Sequence, residues 1–286
     1  SFLVNDIVKP GFKLQTLAQQ IENNSNGAIK AADVERQSRA IATKYNMDPS
    51  QVAESGSSFG ESTGDYKLGF QVTEFLAGIS KSTGAKMEDL SGLANALYSN
   101  GMSFQDVKNQ LLTQIGQGQV AGGKYTIKQV AGLQGAINEP ASMIAGGRDV
   151  SVASTTAMVQ LAGATAKSID GAMTSVKSFV TEVAKDKSGN YKSVINSQGL
   201  ISDPRKAIEL ALIKTGGGQA SKMEAAGFKS TESAAFLGSF SGAFQKAMEG
   251  LPPTAENFAK AAQIATENFN ALSGAVASEA SVRDGA

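Results

Sequence analysis

Three residue types are missing from this chain of 286 residues: histidine, cysteine and tryptophan. Without cysteine there is no disulfide and no thiol nucleophile, and without histidine there is no imidazole base. The same two absences exclude zinc sites built from the usual nitrogen and sulfur ligands. They remove most hydrolase and redox mechanisms, and we predict no metal site and no bound cofactor.

The chain also lacks an excess of charge of either sign. Lys and Arg number 26 and Asp and Glu number 26, so no net field steers the protein onto DNA, RNA or an anionic bilayer. Residues 1–10 lack the basic region and long apolar run of a targeting signal. Residues 150–166 are uncharged but too short and too rich in small polar residues to span a bilayer. We therefore expect no specific nucleic-acid binding.

Apolar residues recur throughout at helical spacing. In residues 75–116, one stripe consists of Leu90, Leu93 and Leu97, and neighbouring stripes are separated by small polar corners. Ser103 stands where an N-cap belongs, with Asp106 in the first turn of the helix that follows. The predicted fold is all-α, an array or bundle of short helices joined by Gly/Ser corners and followed by a heptad-patterned C-terminal helix.

Composition shifts indicate where the chain divides. Residues 1–12 read as an irregular lead-in, and Asp48 with Pro49 starts a brief helix. Residues 56–64 are rich in Ser and Gly and give the best candidate boundary in the first third of the chain. We predict an N-terminal helical segment over 1–60, a helical array over 64–250, and a C-terminal helix and tail over 251–286.

The predicted terminal helix carries large and small apolar residues at alternating steps of four and three, which is a heptad pattern. Such a seam packs either on a second copy or on the chain's own bundle, and we lean towards a second copy. The seam residues that we predict to face a partner are Leu251, Phe258, Ala262, Ala265, Phe269, Leu272 and Val276.

Two glycine-rich pieces, residues 116–124 and 214–222, invite comparison with a phosphate-binding loop. That loop needs a glycine, four residues, then Gly-Lys and Ser or Thr. Lys124 is followed by Tyr125, and Gly218 is followed by Gln219. We interpret both pieces as helix corners.

Residues 54–72, ESGSSFGESTGDYKLGFQV, resemble the lytic transglycosylase signature. The matching residues are Glu54, Ser55, Gly56, Ser62, Gly69, Phe70, Gln71 and Val72. The resemblance implies that Glu54 protonates a glycosidic oxygen from an apolar cleft. However, the Ala-Tyr-Asn-rich element that follows in that family is not found downstream. We predict no catalytic residue, with Glu54 as the runner-up and a solvated helix end with a Ser/Gly loop as the ordinary interpretation.

The succession of helices and corners over residues 30–250 resembles bacteriophage tail tape-measure proteins. The pieces that carry the resemblance are ISKSTGAKMEDLSGLANALYSNGMS, VKNQLLTQIG, TTAMVQLAGATAKSIDGAMTSVKSFVTEV and DPRKAIELALIKTGG. Members of that family run inside the tail tube, set its length during assembly and leave ahead of the genome at infection. This chain departs from the family's long heptad regions, which implies a folded or refoldable segment beside the ruler.

The resemblance implies a structural, non-enzymatic protein of the virion, located in the tail interior and, during assembly, in the host cytoplasm. Its implied partners are tail-tube or other virion proteins and further copies of itself, with membrane contact only during ejection. Two alternatives stay open, namely a murein-degrading lytic transglycosylase domain of a virion protein and a secreted helical translocator-type protein.

Overall fold

The computed structural model describes residues 2–283, and the side-chain environments of residues 12–282. The α-helices follow one another in this order: α1 Phe2–Asn24, α2 Ala31–Tyr45, α3 Pro49–Thr63, α4 Tyr66–Thr83, α5 Met87–Ser99, α6 Phe104–Gln119, α7 Ile127–Val130, α8 Asn138–Ala141, α9 Arg148–Ala162, α10 Ile169–Ala184, α11 Pro204–Thr215, α12 Ala220–Met223, α13 Thr231–Met248, α14 Ala255–Ala265, α15 Asn268–Ser273 and α16 Glu279–Arg283. Short 3₁₀ turns occupy Ala131–Ile137 and Lys192–Val194.

The all-α prediction is confirmed, because helix accounts for 72% of the chain and no strand forms within residues 2–283. Pairing between extended backbone in this range is limited to two isolated bridges, Ile144 with Ile201 and Ile195 with Ile201. The helix starts follow the capping signals in the sequence. Ser103 and Asp106 form a capping box at the start of α6, where each side chain accepts the other residue's backbone N–H.

The chain divides into two compact units. Unit 1 contains α1–α5 and, from the end of the chain, α16, which means residues 2–99 and 278–283 among those described. Its helices pack through a core that includes Leu14, Phe59, Phe70, Leu76 and Leu90. Within this unit α3 packs on α4 and α5, and α16 packs on α4.

Unit 2 covers residues 100–277 and is built around α9. Every residue from 151 to 160 of this helix is buried, since α6, α8, α10 and α15 all pack on it. A second part of the core is aromatic, where the Phe179 and Phe236 rings lie 4.6 Å apart between α10 and α13. α14 packs on α11 and α13.

This division differs from the predicted segments 1–60, 64–250 and 251–286. The candidate boundary at residues 56–64 lies inside α3, which is 15 residues long and not brief, and α3 packs against α4 across the corner at Gly64. The step at residue 251 separates two helices, α13 and α14, that also pack together. The two compact units divide instead after residues 99 and 277.

Two other local predictions are wrong. The lead-in over residues 1–12 is helical from Phe2 onward. The single C-terminal helix is broken, because α14 ends at Ala265, α15 covers Asn268–Ser273, and the chain leaves helix again before α16. The Thr266 side chain at this break accepts a hydrogen bond from Arg205 Nε and donates one to Glu209 Oε1, so α11 holds the break in place.

Candidate functional site

Glu54 lies on α3 in unit 1, beside a cleft of about 290 Å³ between α3 and α5. Its side chain is 55% exposed, and its carboxylate is 3.6 Å from Lys13 Nζ of α1. The acid of a glycosidase needs an apolar enclosure. Glu54 is instead more than half exposed to solvent, and the cleft beside it also carries Gln51, Ser58 and the second carboxylate of Glu88.

The glycines of the transglycosylase-like stretch bring α3 and α4 into close contact. A Cβ atom on Gly56 would lie 2.8 Å from the Phe70 ring, and one on Gly69 would lie 2.9 Å from the Gly60 backbone nitrogen. Gly56 and Gly60 both lie inside α3, and neither breaks the helix. The Ser/Gly loop expected over residues 56–64 is therefore wrong, because residues 56–63 are helical and Gly56 and Gly60 are buried against α4.

The serine and threonine hydroxyls at this helix pair bond to one another. Ser55 Oγ lies 2.7 Å from Ser91 Oγ of α5, and Thr73 Oγ1 of α4 donates to Ser55 Oγ at 3.1 Å. All three residues are buried. Each hydroxyl therefore has a protein partner, and together they join α3, α4 and α5 within unit 1.

The glycine-rich corner at residues 216–218 uses its own backbone amides. All three glycines have positive φ, and the N–H groups of Gly216 and Gly217 donate to carbonyls at the end of α11. The N–H of Gly218 donates to Thr215 Oγ1 at 2.9 Å. The carbonyl of Gly216 accepts from Gln245 of α13. An anion would have to displace these bonds, so the corner serves the packing of α11 on α13.

The seam residues do not form one surface. Ala262, Phe269 and Leu272 are buried within unit 2, whereas Leu251 is 47% exposed and Val276 is 62% exposed. Phe258 and Ala265 are half-buried, with the Phe258 ring 5.8 Å from that of Phe244 on α13. The seven side chains therefore do not form one continuous exposed stripe on this chain. Self-association itself stays a prediction.

A polar cleft in unit 2 was not anticipated from the sequence. It has a volume of about 500 Å³ and lies among α6, the start of α9 and α15. Its walls carry the carboxylates of Asp106 and Asp149 and the carboxamides of Asn109, Gln110 and Asn270. No Lys or Arg is among these lining residues.

Behind this cleft α6 presents what we call the glutamine face, which consists of Gln110, Gln114 and Gln117. The exposed fractions of these side chains are 3%, 0% and 0%. Gln110 and Gln117 donate from Nε2 to Asp149 and Ala153 carbonyls, but their Oε1 atoms accept no hydrogen bond from described residues. Both polar atoms of Gln114 have no such partner. The spacing of four and three was visible in the sequence beside the apolar stripe of α6.

A fourth buried glutamine, Gln160 of α9, is fully bonded. Its Oε1 accepts from the backbone N–H groups of Lys124 and Tyr125 at 2.7 and 2.8 Å, and its Nε2 donates to the Tyr125 carbonyl at 2.8 Å. This side chain ties the loop after α6 to the central helix. Unit 2 thus contains both a satisfied and an unsatisfied set of buried carboxamides.

Within the described residues, no group of three or more acidic, His or Cys side chains is placed to hold a metal ion. No helix in the same range is long and apolar enough to cross a membrane. No protein-family model, curated protein or solved structure gives a significant match to this chain.

Proposed function

We propose that this protein is a structural component of a bacteriophage tail interior, of tape-measure type, with no catalytic activity. The observation that carries the proposal is that the motifs resembling a catalytic site or a phosphate-binding loop make contacts between helices. Glu54 is exposed and paired with Lys13, the glycines around it mediate a helix crossing, and the amides of the Gly216–Gly218 corner are occupied. Each motif contributes to helix packing.

The helix lengths are consistent with a segment that folds beside the ruler and extends when it is threaded. The longest helix, α1, has 23 residues and spans about 35 Å at roughly 1.5 Å per residue. The whole chain as one straight helix would reach about 430 Å. A ruler role for these residues therefore requires the corners between helices to open.

Purified phage particles that carry the gene for this chain provide the test. We expect the protein to be present in intact particles, to resist added protease there, and to become accessible or leave when the tail is triggered to eject. The outer tail-tube surface supplies the accessible control. Absence from particles, or digestion in intact tails, would contradict a location in the tail interior.

One observation favours murein cleavage as a second candidate, because Glu54 and Glu88 line the same cleft. Two carboxylates flanking a bond are what glycoside hydrolysis requires. A peptidoglycan zymogram tests it, and we expect no clearing by the wild-type protein. Clearing that disappears in Glu54→Gln would reverse this order of candidates.

The secreted translocator alternative predicts export through a secretion apparatus, which a secretion assay tests directly.

A further inference from the structure

We propose that unit 2 first opens to water at the glutamine face of α6, so that α6 separates from α9 before the rest of the unit unfolds. The inference goes beyond the proposed function, since it concerns the folded chain whatever its role. It rests on the buried carboxamides, on the composition of α6 and on the adjoining cleft.

The buried carboxamides of α6 favour the open state of the α6–α9 contact. The two polar atoms of Gln114 and the Oε1 atoms of Gln110 and Gln117 are buried and have no partner among the described residues. A buried polar group without a partner is disfavoured relative to the same group in water. Opening the α6–α9 contact lets water bond to all four atoms at once. The open state of this contact is therefore stabilised relative to the open state of an apolar contact of similar size.

The C-terminal half of α6 has weak intrinsic helicity. Gly116 and Gly118 lie inside this helix, and glycine in a helix interior is less favourable than alanine. Tertiary contacts require both glycines. A Cβ on Gly116 would lie 2.8 Å from the Val276 and Ala277 backbone nitrogens, and one on Gly118 would lie 2.8 Å from the Tyr125 carbonyl oxygen. The helix is thus held by its neighbours, and it loses that support when they move.

Solvent has access to one end of the glutamine face. The cleft of about 500 Å³ reaches Gln110, which stands one helical turn before Gln114. Solvent in this cleft is therefore next to the first of the three carboxamides. Water that separates Gln110 from α9 meets Gln114 and then Gln117 on the same face of α6. The cleft supplies the point at which the contact begins to open.

Hydrogen exchange of the folded chain, followed amide by amide, tests the order of opening. The comparison helix is α10 in the same unit, whose buried face carries Val176, Phe179, Val180 and Val183. We expect the amides of residues 110–118 in α6 to exchange about tenfold faster than the central amides of α10, because one unmet carboxamide accounts for a difference of that order. Protection in α6 equal to or greater than that in α10 would overturn the proposal.

Substitution separates the carboxamides from other causes of weakness. Met is unbranched, similar in length to Gln and apolar, so Gln114→Met removes the unmet groups with little change in shape. We expect this variant to raise Tm by about 2–4 °C and to slow exchange in α6 while exchange in α10 stays unchanged. The matched control is Gln160→Met on α9, which removes three hydrogen bonds and is expected to lower Tm.

The two variants must shift Tm in opposite directions. If Gln114→Met leaves Tm unchanged or lowers it as Gln160→Met does, then the carboxamide of Gln114 is satisfied in the folded protein and the proposal is wrong. If Gln114→Met does not fold, the same conclusion follows, because an unmet group cannot be essential to folding. The exchange comparison on wild-type protein stands independently of both variants.

Discussion

Two helix crossings, one in each unit, are built from similar residues and differ in how their polar groups are partnered. At the α3–α4 crossing, Gly56 and Gly69 allow close approach and the buried hydroxyls of Ser55 and Thr73 bond to each other. At the α6–α9 crossing, the buried carboxamide of Gln114 has no hydrogen-bond partner among the residues that the structure describes. Small and polar residues can therefore produce a helix contact in which the buried polar atoms bond to each other, or one in which some of them have no partner among the described residues.

The difference follows from side-chain chemistry. A hydroxyl both donates and accepts, so a short chain of hydroxyls satisfies itself, and on α9 Thr155 donates back to the Ser151 carbonyl of its own helix. A carboxamide has two distinct polar atoms at the end of a long side chain, and each needs a partner across the contact. Gln160 finds such partners in a loop backbone, whereas Gln114 has none among the described residues.

The largest effect should come from filling the α3–α4 crossing. A methyl group at residue 69 would overlap the Gly56 carbonyl oxygen and approach the Gly60 backbone nitrogen, and backbone atoms cannot move aside independently. We expect Gly69→Ala to lower the free energy of unfolding by about 3 kcal/mol. Urea denaturation monitored by circular dichroism measures this. A loss below about 1 kcal/mol would show that the two helices can separate without penalty, contrary to the contact described.

Removing one hydroxyl of the satisfied cluster should have an intermediate effect. Ser55→Ala leaves the Ser91 and Thr73 hydroxyls without their shared partner, and we expect a loss of about 1–2 kcal/mol. Adding Thr73→Val removes one of the stranded groups, so the double variant should lose less than the two single losses combined. Strict additivity in a double-mutant cycle would mean that the hydroxyls do not depend on each other.

In the turn after α10, the partly buried group that receives hydrogen bonds is a charged one, the carboxylate of Asp186. Partial burial opposes ionisation of Asp186, but hydrogen bonds from Ser188 and from the Tyr191 backbone outweigh it, so the pKa of this carboxyl lies below its ordinary value. The stabilisation is therefore complete above the unfolded pKa and is lost as the pH falls through the folded pKa. We expect Asp186→Asn to reduce stability by about 1 kcal/mol near neutral pH.

Measuring Tm of both proteins at several pH values supplies the control for Asp186→Asn. The difference in Tm between wild type and Asp186→Asn should stay constant while the pH is well above the ordinary carboxyl pKa, and it should shrink as the pH is lowered from about 4 towards 2. A difference that stays constant over this range would show that the charge of Asp186 does not contribute to the turn.

The smallest effect should have the opposite sign. Gly238 of α13 has a helical backbone, and a Cβ atom there would meet nothing within 4 Å. We expect Gly238→Ala to stabilise the protein by about 0.5–1 kcal/mol, because alanine is the better helix former and no contact is lost. Comparison of Gly238→Ala with Gly69→Ala distinguishes the effect of helix propensity on stability from the effect of close packing. Destabilisation by Gly238→Ala would indicate that α13 has a close neighbour at this position.

The helical class and several helix ends could be predicted from local signals. The apolar period is close to 3.6, and a capping residue such as Asp203 acts within its own turn, where its side chain accepts the N–H of Lys206. The crossings could not be predicted in this way. Gly56 reads locally as a helix breaker, and only its contact with Phe70 on the next helix shows why glycine is present.

The candidate site was the part least accessible to sequence reasoning. The heptad pattern after residue 251 is present, but Arg205 of α11 stabilises a break at Thr266 that no local rule contains. The spacing of Gln110, Gln114 and Gln117 was visible as a polar stripe, yet its burial and its lack of partners depend on where α9 lies. The ranking of Glu54 below a structural interpretation stays a prediction, and the local structure around it was predicted wrongly.

The path of the chain has a mechanical consequence. Unit 2 is an insertion between residues 99 and 278 of unit 1, so tension applied at residues 2 and 283 reaches it only through unit 1. The five residues of α16, held on α4 with Val282 buried, are the shortest stretch that bears this load. Once α16 is pulled away, the force acts on Ala277, whose N–H is bonded to the Leu112 carbonyl of α6. We therefore expect α16 to separate from α4 before tension reaches unit 2.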